Sequence, residues 1–240
     1  MAGEETVAGR LERVRERIAA AAARSGRRPD EITLVGASKT VDAGRIAAAV
    51  AAGLRDLGEN YVQEAETKRG QVLAALNGAG SPVARPRWHL IGHLQTNKAR
   101  AAVELFDIIQ TLDSERLAAA LARHATPPPR MPVLLEIDFT GLPERTGLAP
   151  GAAPAVVERT LATECLAIQG LMVVPAIGLS EAETRAVYRR LVALRDDLAG
   201  RYPAAAWEQL SMGMTDDFEL AIEEGATIVR IGRAIFGERP

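Results

Sequence analysis

Cysteine is nearly absent from this chain. Cys165 stands alone among 240 residues, so no internal disulfide is available and no cysteine-cluster metal site can be built. The N-terminus, from Met1 to Gly9, carries Glu4 and Glu5 and no apolar run, unlike a secretory signal. Nowhere does a stretch approach the ~20 uninterrupted apolar residues of a membrane span. Neither charge is in excess: 29 Lys and Arg oppose 31 Asp and Glu, a formal charge of -2. That balance gives no electrostatic reason for nucleic acid or an anionic membrane as partner. These absences together predict a cytoplasmic protein. What is present, 48% hydrophobic and 25% charged residues, suits an ordinary globular protein with a large core, in one domain or at most two.

Val7, Leu11, Val14 and Ile18 recur at helical spacing, and Gly26 followed by Pro29 ends the run. The opposite face mixes Arg10, Arg13, Arg15 and Arg17 with Glu12 and Glu16, which reads as solvated. Short apolar runs then alternate with Ala-rich helical stretches. Eight runs read as strands, at 33–37, 56–58, 88–91, 108–111, 133–137, 170–174, 207–210 and 227–231. Helix starts are signalled by Asp42, by Ser114, by the capping box of Ser180 with Glu183, and by Thr215, Asp216 and Asp217. Short strands separated by helices predict parallel βαβ units, and eight of them in ~200–250 residues predict a (β/α)8 barrel preceded by an extra helix. A doubly wound sheet would offer a Gly-x-Gly-x-x-Gly after the first strand. Here that strand ends Gly36-Ala37-Ser38-Lys39-Thr40, which is a different pattern. Pro127, Pro128 and Pro129 read as a stiff connection within one domain covering residues 1–240.

In such a barrel, working residues gather at the C-terminal ends of the strands. The polar residues there are Lys39, Glu59 with Asn60, His93, Asp113, Asp138, Ser211 and Arg230. Lys39 is either a surface lysine opening a loop or, desolvated at the barrel mouth, a nucleophile toward an aldehyde. Residues 209–217 pass from a strand through Ser211 and Gly213 toward a helix N-terminus, the combination that holds a phosphate. Arg230 alternates with Val229 and Ile231 and so points into the barrel. It needs either an internal carboxylate, Glu136 or Glu208, or a ligand. His89 and His93, four apart on one expected strand face, lack a third metal ligand. His124 reads as solvated and Cys165 as a packed thiol.

With these residues placed, the chain resembles the pyridoxal 5'-phosphate homeostasis protein family. The resemblance lies in Ser38-Lys39-Thr40, in Gly58 through Glu64, in Trp88 through Lys98, in Gly170-Leu171-Met172, in Leu210 through Met214, and in Val229 through Gly237. It implies a barrel like the N-terminal domain of alanine racemase, with pyridoxal 5'-phosphate (PLP) as a Schiff base on Lys39. It further implies phosphate contacts around Ser211, Met212, Gly232 and Arg233, Arg230 facing the pyridine nitrogen, and Asn60 near the ring. The implied role is a monomeric PLP carrier or buffer in vitamin B6 homeostasis, with PLP-dependent apo-enzymes as recipients and no substantial catalysis. The competing readings are a low-activity racemase or lyase, and a phosphate-ester isomerase or aldolase using Lys39. Two departures stand out: Arg233 occupies the place of a common threonine, and Glu136-Ile137-Asp138 with Arg145-Thr146-Gly147 differs from the family's usual wording, so no ligand role passes to Asp138.

Overall fold

The computed structural model describes residues 5–78, 85–127 and 129–237. The opening residues 1–4 and Pro128, both used in the sequence reading, lie outside them. The strands are β1 (Thr33–Ala37), β2 (Asp56–Glu59), β3 (Arg87–Leu90), β4 (Ile108–Leu112), β5 (Met131–Ile137), β6 (Leu166–Val173), β7 (Gln209–Ser211) and β8 (Ile228–Ile231). They pair in parallel and in chain order, β8 closing on β1, to form the expected barrel. The helices are α1 (Val7–Arg24), α2 (Ala43–Ala51), α3 (Val62–Gly78), α4 (Ala99–Leu105), α5 (Glu115–Ala122), α6 (Ala153–Leu161), α7 (Glu181–Arg201), α8 (Phe218–Glu223) and α9 (Arg233–Phe236). Among the described residues no helix is long and apolar enough to cross a membrane.

Several boundaries differ from the sequence reading, each for a local reason. Trp207 is drawn out of β7 because its indole N–H donates to the Tyr202 carbonyl at 3.0 Å. The helix expected from Thr215 starts only at Phe218. The Asp217 carboxylate closes a turn instead, accepting from the Met214 amide at 2.6 Å and the Tyr188 hydroxyl at 2.8 Å. His89 lies on β3, but His93 falls beyond its end, so the two do not share a strand face. The chain bends at Gly92, where a Cβ would sit 2.4 Å from the Asn60 carbonyl oxygen.

Alternation along the strands divides the apolar residues into two unequal sets. Leu57, Leu90, Ile109, Leu135, Leu171, Leu210, Val229 and Ile231 face outward into the large core beneath the helices. Inside the barrel, Val35, Leu134, Met172 and Ile228 form a small separate cluster. Several other inward positions are polar, and they carry the site described below.

The N-terminal helix α1 packs on α8 and α9 through buried Leu11, Val14 and Ile18. Its other face is less solvated than its composition suggests. Arg17 and Arg24 pair with Glu219 and Glu223 on α8, each at 2.7 Å, and the Arg17 guanidinium lies 4.5 Å from the centre of the Phe218 ring. Exposed ion pairs of this kind contribute about 0–1 kcal/mol, whereas emptying a buried leucine site costs about 2–5 kcal/mol. In urea unfolding, Leu11→Ala is therefore expected to lose about 2–5 kcal/mol and Arg24→Ala less than about 1 kcal/mol. Equal losses would show that the ion pairs, not the apolar stripe, hold α1.

Candidate functional site

β1 delivers Lys39 to the C-terminal rim, where it is half-buried with Nζ 5.0 Å from the centre of the Tyr61 ring. Both of its chain neighbours are clamped. The Ser38 hydroxyl donates to Glu59 Oε1 at 2.7 Å, and the Thr40 amide donates to Glu64 Oε1 at 2.7 Å. Buried Lys68 on α3 ties these together, donating to the Ser38 carbonyl (2.7 Å), Glu59 Oε1 (2.8 Å) and Glu64 Oε1 (2.7 Å). An ammonium has three donors, so Lys68 is saturated and offers no lone pair. Thr40 sits at φ +63°, a left-handed conformation that a β-branched residue adopts only when its surroundings impose it.

The two carboxyls of the clamp respond oppositely to their setting. Burial pushes Glu59 up despite the hydrogen bonds from Lys68 and Ser38, and its Oε2 is buried without a partner. Burial also opposes ionisation of Glu64, but Lys68 and the Thr40 amide outweigh it and hold that carboxyl below its usual value.

Arg230 points into the barrel from β8 and is 4% exposed. Its Nη1 donates to Ser211 Oγ at 2.6 Å and its Nη2 to the Val173 carbonyl at 2.9 Å. Burial pushes its pKa down, opposed by Tyr188, Glu136 and Asp217 around it. The ion pair weighed for it with Glu136 or Glu208 is not formed; a hydroxyl and a carbonyl hold the guanidinium instead. Glu136, inward on β5, accepts from the Thr146 hydroxyl at 3.1 Å through Oε1, and its Oε2 is buried without a partner. Burial, reinforced by nearby Asp113, raises its pKa.

The remaining expected residues separate into those near the mouth and those turned from it. Ser211 Oγ donates to Gln110 Oε1 at 2.6 Å, so its only hydrogen points across the barrel. The Met212 side chain is buried in the outer core, and its amide donates to the Ile228 carbonyl at 3.1 Å; only its main chain lies at the rim. Gly213 has φ +91°, and a Cβ there would lie 2.6 Å from the Ala221 Cβ. Gly232 opens α9 close to β1, its Cβ position 3.1 Å from the Ala37 carbonyl oxygen. Arg233 is exposed and pairs with Asp216. Asn60 is half-buried at the end of β2. His93 stands at the rim, 3.0 Å from Asp113. Asp138 closes its own turn, accepting from Thr140 and Gly141. The sequence reading missed Lys68 and Gln110. Polar residues at inward strand positions, such as Gln110 between Ile108 and Leu112, were the available signal; Lys68 had none.

An amine at the end of strand 1, a buried arginine on strand 8 and glycines after strands 7 and 8 define a lysine-bearing (β/α)8 barrel. The family described as alanine racemase, N-terminal domain, matches residues 10–240. An alanine racemase from Clostridium difficile 630 superposes with a TM-score of 0.70 at 14% identity over 96% of this chain and 57% of that one, a likeness of fold alone. Much nearer is the pyridoxal phosphate homeostasis protein of Escherichia coli K12, 40% identical over 97% of both chains. Its counterpart in Pseudomonas aeruginosa is 39% identical over 98% of this chain and 96% of its own. PipY of Synechococcus elongatus PCC7942, solved with PLP bound, gives a TM-score of 0.82 at 35% identity, over 97% of this chain and 100% of that one. The chain belongs to the pyridoxal phosphate homeostasis protein family. These relatives are named for homeostasis, not for a reaction.

The clamp makes a quantitative expectation. Removing one partner of a buried ion pair costs about 3–5 kcal/mol, whereas replacing both often costs little. Lys68→Met is expected to lose about 3–5 kcal/mol in urea unfolding, and adding Glu59→Gln should recover much of it. Additive losses would mean that the two side chains act independently.

Proposed function

We propose that this protein binds PLP at the barrel mouth through Lys39 and stores it for PLP-dependent apo-enzymes of the cytoplasm without turning over amino acids itself. The observation that carries the reading is the contrast between two lysines near the mouth, Lys68 saturated by three acceptors and Lys39 presented at the rim on a clamped turn. Buried Arg230 fits the same group, since a guanidinium held by two neutral acceptors retains donors for a ring nitrogen. The PLP-bound structure of PipY supports the ligand.

Lys39 would hold the cofactor through its side-chain amine, the group that condenses with an aldehyde. The phosphate would be held at the turns after β7 and β8, around Gly213 and Gly232–Arg233, with the Arg233 guanidinium adding positive charge. Asn60 would lie toward the ring. When bound, PLP supplies an electron sink for reactions at an amino acid's α-carbon. Arg230 would restrain that capacity, since a guanidinium facing the pyridine nitrogen would donate a hydrogen bond without protonating it. The support for a carrier over an enzyme is this donor together with the naming of the relatives.

Incubation with PLP is expected to give a visible absorbance, and borohydride should fix a phosphopyridoxyl group on the peptide containing Lys39. Lys39→Ala should abolish both. An adduct on Lys68 or Lys98 alone would refute the assignment. Efficient racemisation or lyase turnover by the wild type, lost in Lys39→Ala, would replace the carrier with an enzyme.

A further inference from the structure

We infer that a one-way hydrogen-bond relay, running from Asp56 near the N-terminal end of the barrel through His89, Gln110 and Ser211, fixes the orientation of the Arg230 guanidinium. Its effect on a ligand rests on the PLP reading above; the relay itself does not.

The contacts form an unbroken line across the barrel. Asp56, first in β2, accepts from Arg87 Nε at 2.7 Å and lies 2.9 Å from His89 Nε2. His89 Nδ1 lies 2.8 Å from Gln110 Nε2. Gln110 Oε1 accepts from Ser211 Oγ at 2.6 Å, and Ser211 Oγ accepts from Arg230 Nη1 at 2.6 Å. Asp56, His89, Gln110, Ser211 and Arg230 are all buried, and His89, Gln110 and Ser211 are wholly so.

The ends of the line impose its sense. Arginine only donates and a carboxylate only accepts. Burial disfavours ionised Asp56, but hydrogen bonds from His89 and Arg87 outweigh that and hold its carboxyl below the usual range. His89 must therefore carry a proton on Nε2, which leaves Nδ1 to accept from the Gln110 amide. The amide oxygen then faces Ser211, whose hydrogen goes to it and whose lone pairs face Arg230. The reversed sense needs either a bare ring nitrogen against a carboxylate or a second proton on His89, and it strands the Ser211 hydrogen. Every donor points from Arg230 toward Asp56, so the bonds polarise one another in the same direction. A polar plug with only a packing role would tolerate either sense.

Two residues far from the mouth thus become positioning residues for Arg230, and Ser211 acts at the ring end of the site, not at the phosphate. Nitrogen-15 NMR of the ligand-free wild type should show His89 protonated at Nε2 and bare at Nδ1. Gln110→Leu, nearly isosteric, should speed solvent exchange of the Arg230 guanidinium by about tenfold or more, the effect of losing support for a bond to a charged group. In the loaded protein, Ser211→Ala should weaken pyridoxal and PLP by the same factor, about tenfold, and shift the visible absorbance of the bound form. A proton on Nδ1, unchanged Arg230 exchange in Gln110→Leu, or weakening of PLP alone in Ser211→Ala would each overturn the relay. If the wild type binds no PLP while both NMR results hold, the function falls and the relay stands.

Discussion

The structure turns on one buried charge. Arg230 places a guanidinium inside a closed barrel, where an unpaired ion is very costly, and it is held by a serine hydroxyl and a backbone carbonyl instead of a carboxylate. That choice shapes the interior. Among the described residues the inner apolar cluster is small, Val35, Leu134, Met172 and Ile228 with Val174 against it, because several other inward positions supply acceptors or support them. Ser211 accepts from the arginine, Gln110 takes the serine hydrogen, His89 supports Gln110 and Asp56 closes the line. That carboxylate sits several hydrogen bonds away from the cation, and the groups that bond the guanidinium directly are both neutral, although Glu136 and Asp217 lie near enough to act on its charge.

Lys68 shows the opposite solution on the other side of the barrel wall. Its ammonium meets two carboxylates and a carbonyl within 2.8 Å, so its charge and all its donors are consumed in tying α3 to the ends of β1 and β2. A saturated cation is a structural tie, whereas a cation held by neutral groups keeps affinity for something else. The same distinction separates Lys68 from Lys39, two residues that composition alone cannot tell apart.

The barrel was legible because its signal is local and repeated: apolar runs of strand length, helix caps such as Ser180 with Glu183, and glycines at helix ends. The inward direction of Arg230 followed from simple alternation with Val229 and Ile231. Its partners did not follow, since Ser211 and Gln110 are 101 residues apart and nothing in either segment names the other. Lys68 was hidden for a similar reason, being one more lysine on a helix face until the fold set it beneath Ser38. The late start of α8 was illegible because Asp217, a good cap by type, bonds backward to Met214 and sideways to Tyr188. Local propensity gave the elements, and tertiary contacts decided how their polar ends were used.

The division between strand and loop has a consequence for how such a site works. Arg230 and its supports lie on strands, whose ladders leave little freedom, so the floor of the mouth is held by the sheet. Lys39, the turn after Ser211 and the opening of α9 lie on short connections at the rim, next to exposed Tyr61 and Met214. If the protein is the carrier proposed above, a binder that must also release its ligand gains from this arrangement. The rigid floor sets selectivity, through donors placed before the ligand arrives. On the carrier reading, the attachments to be undone, at Lys39 and at the turns after β7 and β8, stand at the rim. A catalyst would also need acid and base groups fixed against the reacting atoms; on the carrier reading, the strand residues of the relay serve instead to hold one cation in place.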